Sequence, residues 1–173
     1  MEGSKICVKP LSIKNIRKIT KMLREVLNIE DDERFPIVHF IEWVLGDPDS
    51  DFDYEITEVE EMQDIYGLTD TNRNVMKIRG DVYKGAIEGN PRDVFTLCHE
   101  LGHYLLHKPE AVEFARVSEN IPAFRNPEWQ ANTFAAELLA PYDRAKNMSA
   151  KEIAEQYGMS AQAAQIRCKQ CRG

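Results

Sequence analysis

Two histidines four positions apart, with a glutamate beside the first, are the residues of this 173-residue chain best suited to chemistry. His99-Glu100-Leu101-Gly102-His103 fits the pattern H-E-x-x-H. Positions i and i+4 share one face of a helix, with Cβ atoms about 5–6 Å apart. Two imidazoles on that face can converge on a single ion at ~2.0–2.1 Å per bond. Glu100 projects to the side, where it can hold an attacking water and take its proton. The chemistry implied is metal-assisted hydrolysis. With only four histidines in the chain, the pattern rarely arises by chance.

Such a site needs a third protein ligand and an open position. His107 lies eight residues after His99, ~80° around the helix, so the three histidines do not all face one ion. It is expected to close the helix, to support a ligand or to touch substrate. The position where a third histidine would follow at longer spacing is Pro109. The missing ligand is therefore expected from the next helix. Glu128 and Asn132 stand at i and i+4 there and share a face. Their arrangement resembles the E-x-x-x-D of thermolysin-like zincins (gluzincins), in which the glutamate binds zinc and the second acid orients a ligand histidine. Asn132 takes the place of that acid. Its amide oxygen can accept an imidazole N–H but adds no charge. Glu137, otherwise read as a surface residue, is the competing ligand. Glu128 is favoured by its i+4 partner and its place at the helix start.

The segment Asp93-Val-Phe-Thr-Leu-Cys-His-Glu-Leu-Gly-His-Tyr-Leu-Leu-His107, followed by Glu128-Trp-Gln-Ala-Asn-Thr-Phe-Ala-Ala-Glu-Leu-Leu-Ala-Pro141, resembles the ImmA/IrrE family of metallopeptidases. Phe95, Thr96, Ala131, Asn132, Phe134, Ala135, Leu138, Leu139 and Pro141 carry the resemblance, which covers about residues 75–141. It implies a zinc-dependent endopeptidase with His99, His103 and Glu128 as ligands and Glu100 as general base. It also implies a protein substrate, a DNA-binding helix-turn-helix repressor whose cleavage releases phage, mobile-element or stress genes. Tyr104, His107, Arg125 and Tyr142 are candidates for an oxyanion or substrate contact. The alternative reading is a zinc-containing regulatory or antitoxin protein that binds a repressor without cutting it. The intact Glu100 favours the enzyme.

The elements that must position these residues follow from capping and periodicity. Asn90-Pro91-Arg92-Asp93 is a helix start, with a cap, a proline at the first position and an acid near the positive end of the dipole. That helix should run to about His107, since Pro109 follows. Asn126-Pro127-Glu128 opens a second helix that ends before Pro141. Residues 12–27 place Ile13, Ile16, Ile19, Thr20, Leu23, Val26 and Leu27 on one stripe, with the basic residues largely opposite. Another helix begins at Pro36. Residues 52–57 alternate as a half-buried strand, and 75–79 and 81–86 read as further short strands. One of the latter two is expected to form the edge that pairs with an extended substrate. The stretch of roughly 17 residues after Pro109 is long enough to be functional or to hold a hairpin. Ser149-x-x-Glu152 is a capping box, Gly158 a stop and Ser160 a further cap. The expected fold is α+β: a zincin-like minimal metalloprotease with a small antiparallel sheet, an active-site helix, a ligand helix and closing C-terminal helices. Residues 1–70 are expected to pack on a catalytic core at 71–145, followed by a helical pair and tail at 146–173.

Charge and composition bound the partners. The net charge is −7, which argues against general nucleic-acid binding. Its distribution is uneven: residues 25–70 hold sixteen acids and one base, Arg34. That stretch is expected to steer a basic substrate towards the site. The basic helix near 14–24 and a loose helix-turn-helix at 154–166 are read as a solvated face and as packing helices, so direct nucleic-acid contact is not expected. No apolar run reaches the ~18 residues of a membrane span. With no signal peptide evident and four scattered cysteines, reduced thiols and a cytoplasmic location are expected. Cys168-x-x-Cys171 supplies half a zinc site at most and is read as part of a flexible tail.

Overall fold

A computed structural model of the chain describes residues 5–115 and 121–173. In order the elements are β1 (Lys5–Val8), α1 (Ile13–Val26), α2 (Ile37–His39) running into a π-helical turn (Phe40–Leu45), β2 (Asp53–Thr57), α3 (Val59–Met62), β3 (Gly67–Asp70), β4 (Val75–Arg79) and α4 (Gly80–Ile87). There follow α5 (Pro91–Leu106), β5 (Val112–Ala115), α6 (Pro127–Leu139), α7 (Tyr142–Ala145), α8 (Ala150–Tyr157) and α9 (Ala161–Arg172).

The fold is α+β, but its three-stranded sheet is mixed rather than antiparallel. The order is β2-β4-β3, with β2 parallel and β3 antiparallel to β4. A separate two-stranded ladder joins β1 to β5, antiparallel, across more than a hundred residues. That pairing occupies part of the stretch after Pro109. Residues 116–120 of the stretch lie outside the described part.

Residues 81–86, expected as a strand, form the helix α4. With β2 on one side of β4 and β3 on the other, the ladder sites of β4 are filled. Val82 and Ala86, four apart, instead turn one helical face into the core. β4 is therefore central, and the edge strand beside the histidine helix is β3. The expected flexible tail is also helical: α9 extends to Arg172, with Cys168 and Cys171 buried.

The caps read from sequence form. Asn90 accepts from the Arg92 N–H at 3.0 Å, and Asn126 from Glu128 and Trp129 at 2.9 and 3.2 Å. Ser149 and Glu152 close a capping box, and Gly158 takes the left-handed conformation at φ 65°. In α1, Ile13 and Val26 are exposed, and the buried stripe is Ile16, Thr20 and Arg24. So the arginines do not all lie opposite the apolar face, as the periodicity suggested.

The core is built around α6, which is buried along nearly its whole length. Its C-terminal carbonyls, which helix geometry leaves without partners, are satisfied by arginines from other helices. Arg24 donates to Leu138 O at 2.9 Å, and Arg167 donates twice to Ala140 O at 2.8 and 2.9 Å. Glu137 is 1 % exposed, not a surface residue. It accepts from Arg17 at 3.0 and 3.1 Å and from Arg167 at 2.9 Å. Its charge is fully used in holding α1 and α9 to α6.

Candidate metal centre

The centre forms where α5 crosses α6. Gly102 makes the close approach possible: a Cβ there would lie 3.2 Å from Ala131 Cα and 3.1 Å from the Phe134 ring. With the backbones that near, the first turn of α6 comes under the histidine face of α5. His99 Nε2 and His103 Nε2 lie 3.0 Å apart. Glu128 Oε2 is 3.3 Å from His99 Nε2, and Glu128 Oε1 is 3.3 Å from His103 Nε2. Ligand atoms around a tetrahedral ion with bonds of ~2.0–2.1 Å stand about 3.3 Å from one another. Each imidazole nitrogen thus stands at that separation from one oxygen of the Glu128 carboxylate, and the donor set, two imidazoles and one carboxylate, suits a borderline ion such as zinc. Among the described residues this is the trio of ligand-capable groups brought within reach of one another.

Each histidine is held from behind. His99 Nδ1 lies 3.0 Å from Asn132 Oδ1, the contact expected of the i+4 partner of Glu128. His103 Nδ1 lies 2.9 Å from His107 Nδ1. Burial, then the neighbouring His99 and His107, push the His103 pKa down to about 3, so the ring is neutral at pH 7 and keeps a lone pair. Burial likewise lowers His107.

Glu100 is buried beside the pair. Burial raises its pKa, and the nearby Glu128 raises it further, while the Thr69 hydroxyl and His99 pull it down. Thr69 Oγ1 donates to Glu100 Oε2 at 2.8 Å. Gly67 faces the same carboxylate, and a Cβ there would come within 2.7 Å of Glu100 Cγ. The edge strand β3 thus holds the Glu100 carboxylate from one side. Nothing in the sequence pattern singled out Gly67 or Thr69. The signal that could have done so is a short polar strand ending at the turn Asp70–Asn74.

A cleft of about 330 Å³ opens over His99 and Glu100, lined also by Ile65, Tyr66, Gly67, Thr96 and Asn132. Of the four helper candidates, none lines this cleft. Tyr104 packs edge-on against Phe52, with Lys108 over its ring at 3.6 Å. His107 is 5 % exposed and turned to Gln130. Arg125 Nη2 lies 3.6 Å from Cys7 Sγ. Tyr142 sits under Arg17, 3.6 Å from the ring centre, beside the buried Glu137 cluster. The cleft instead presents Tyr66, whose ring centre lies 4.3 Å from the Arg79 guanidinium and 4.1 Å from that of Arg92. A larger groove of about 490 Å³ shares Phe95, Thr96 and Asn132 with the cleft and continues to Trp129, Met159 and Ile166.

Residues 85–169 match the family model of the IrrE N-terminal-like domain, a peptidase family. Over that stretch the chain matches the ImmA/IrrE peptidase family. A comparison with curated proteins returned no match. The ImmA/IrrE match takes in α5, α6 and most of α9, and with them His99, Glu100, His103, Glu128 and Asn132. The sheet that supplies Gly67 and Thr69 lies ahead of it. Among the described residues, no helix is long and apolar enough to cross a membrane.

Proposed function

We propose that this protein is a zinc-dependent endopeptidase of zincin type that cuts a partner protein, a DNA-binding helix-turn-helix repressor. The observation that carries the reading is the convergence of His99, His103 and Glu128 within ligand reach of one point, beside a buried glutamate. In this reading His99, His103 and Glu128 hold the ion, Asn132 orients His99, and Glu100 is the base. Zinc, when bound, supplies a Lewis acid that polarises the scissile carbonyl and acidifies water.

Glu100 takes the proton of the attacking water and delivers it to the departing amine nitrogen. Its raised pKa suits both halves of that task, since a base poised nearer neutrality returns its proton more readily. Thr69 and Gly67 keep the carboxylate in one place through the cycle. Tyr66 is the cleft hydroxyl free of the helix backbone, because Thr96 already donates to Arg92 O at 3.0 Å. It takes the oxyanion role in place of the four residues first considered. The exposed edge of β3 offers backbone groups to an extended substrate, and the apolar groove beyond Phe95 accepts side chains flanking the scissile bond.

Glu100→Gln separates the enzyme from a protein that only binds. The variant should keep zinc at ~1:1 and lose cleavage of a helix-turn-helix repressor encoded beside it. Cleavage that persists in Glu100→Gln removes Glu100 as base. Zinc well below one equivalent in the parent protein removes the metal reading.

A further inference from the structure

A chain of hydrogen bonds leads from the metal-facing ring of His103 to a side chain with no place in the reaction. His103 Nδ1 meets His107 Nδ1 at 2.9 Å, and His107 Nε2 meets Gln130 Oε1 at 3.0 Å. The Gln130 amide nitrogen donates to Lys9 O at 2.9 Å and to Phe124 O at 2.8 Å. Gln130 is fully buried on α6, two residues after Glu128. Lys9 follows β1, and Phe124 lies in the 3₁₀ turn Ala123–Arg125 that leads into α6.

The direction of every proton in this chain follows from its far end. Two backbone carbonyls can only accept, so the amide end between them must be the NH₂ group. Both of its hydrogens are used. The other end is then the oxygen, an acceptor only, and it faces His107 Nε2. That nitrogen must carry the hydrogen. A neutral imidazole has one, so His107 Nδ1 is bare and accepts. His103 Nδ1 must donate to it. The single hydrogen of His103 is thereby placed on Nδ1, and the Nε2 lone pair is left facing His99 and Glu128.

We propose that Gln130, acting through His107, is a positioning residue that sets the tautomer of His103 and so prepares it to ligate the ion. The proposal rests on the metal reading above and adds its cause. Two backbone carbonyls, from the β1 end and from the turn before α6, dictate the protonation of a ring two side chains away. His107 is then neither ligand nor oxyanion helper but the relay between Gln130 and His103. A donor in place of the Gln130 oxygen would reverse every step and put the hydrogen of His103 on the metal side.

Nuclear magnetic resonance of the ¹⁵N-labelled full chain reads imidazole tautomers directly, with and without zinc. The expected spectrum shows His107 protonated on Nε2 in both states and His103 on Nδ1 in the zinc form. His107 protonated on Nδ1, or on both nitrogens, overturns the proposal. Zinc affinity, measured by competition with a chelating dye, supplies the second readout. Gln130→Met and His107→Phe should weaken zinc binding 10–100-fold, the range for groups that orient metal-bound histidines. His107→Gln offers an acceptor to His103 and a donor to Gln130, and should restore affinity to within about threefold of the parent. If Gln130→Met folds and binds zinc as the parent does, or if His107→Gln fails while folded, the relay is wrong. Where a variant does not fold, the parent spectrum still decides. Zinc-dependent cleavage alongside the wrong tautomers would sink the relay and leave the peptidase reading standing.

Discussion

Glu100 is held by two residues of one short strand, 31 and 33 positions before it. Thr69 donates to its carboxylate and favours the charged form, while burial favours the neutral one. Thr69→Val removes the first influence and leaves the second. The Glu100 pKa then rises, so the base is emptied of its proton only at higher pH. The acid limb of kcat/KM should move to higher pH in Thr69→Val, with zinc content unchanged. An unmoved limb would show that Glu100 does not set it. The same scale explains why Glu137 was legible only as a competitor. Its position on the ligand helix is local information. Its burial against Arg17 and Arg167 comes from other helices, one of them 120 residues away, and that pairing occupies its carboxylate.

At the scale of elements, the centre depends on how closely α5 and α6 pack. Alanine in place of Gly102 would gain helix propensity, about 0.5–1 kcal/mol. It would also set a methyl carbon 3.1–3.3 Å from Phe134 and from the Ala131 backbone, and a backbone cannot swing aside as a long side chain does. The clash should win. Gly102→Ala is expected to lose about 1–3 kcal/mol, the usual range for overpacking. Because the displaced helix carries Glu128, zinc should bind more weakly as well. Thermal melts with and without zinc check both effects, and a stabilised variant with parental affinity would refute the close-packing argument. The helix boundaries themselves were legible, because Asn90, Asn126, Ser149 and Gly158 act on their own neighbours. α4 was misread as a strand for the complementary reason. Val82 and Tyr83 suit either state, and the occupied ladder sites of β4, formed by distant segments, decided between them.

Over the whole molecule, charge and groove bear on the partner. Sixteen of the 29 acids fall in residues 25–70, the segment that contains β2, β3 and the cleft residues Ile65, Tyr66 and Gly67. The basic counterpart is partly withdrawn, since Arg24 and Arg167 are buried and committed to carbonyls of α6. Acids gathered in one segment raise encounter rates with a basic substrate. Cleavage should therefore slow as salt rises from 50 to about 200 mM, where the Debye length falls below 10 Å. Neutralising Asp47, Asp49, Asp51 and Asp53 together should slow it at low salt without loss of zinc. A rate independent of salt in the parent would leave these acids with no part in encounter. The sequence by itself determined the pairing of His99 with His103, the place of Glu100 beside them, the pairing of Glu128 with Asn132 and the caps of both helices. Each is a relation between residues within a turn or two of one another, and helical geometry converts such spacing directly into a shared face. The tertiary structure alone decided the rest: the strand edge that meets Glu100, the inward turn of Arg17 and Arg24, and the Gln130 amide that sets the His103 ring. Those depend on sheet pairing and helix crossing between segments 20 to 120 residues apart, where no local period carries the information.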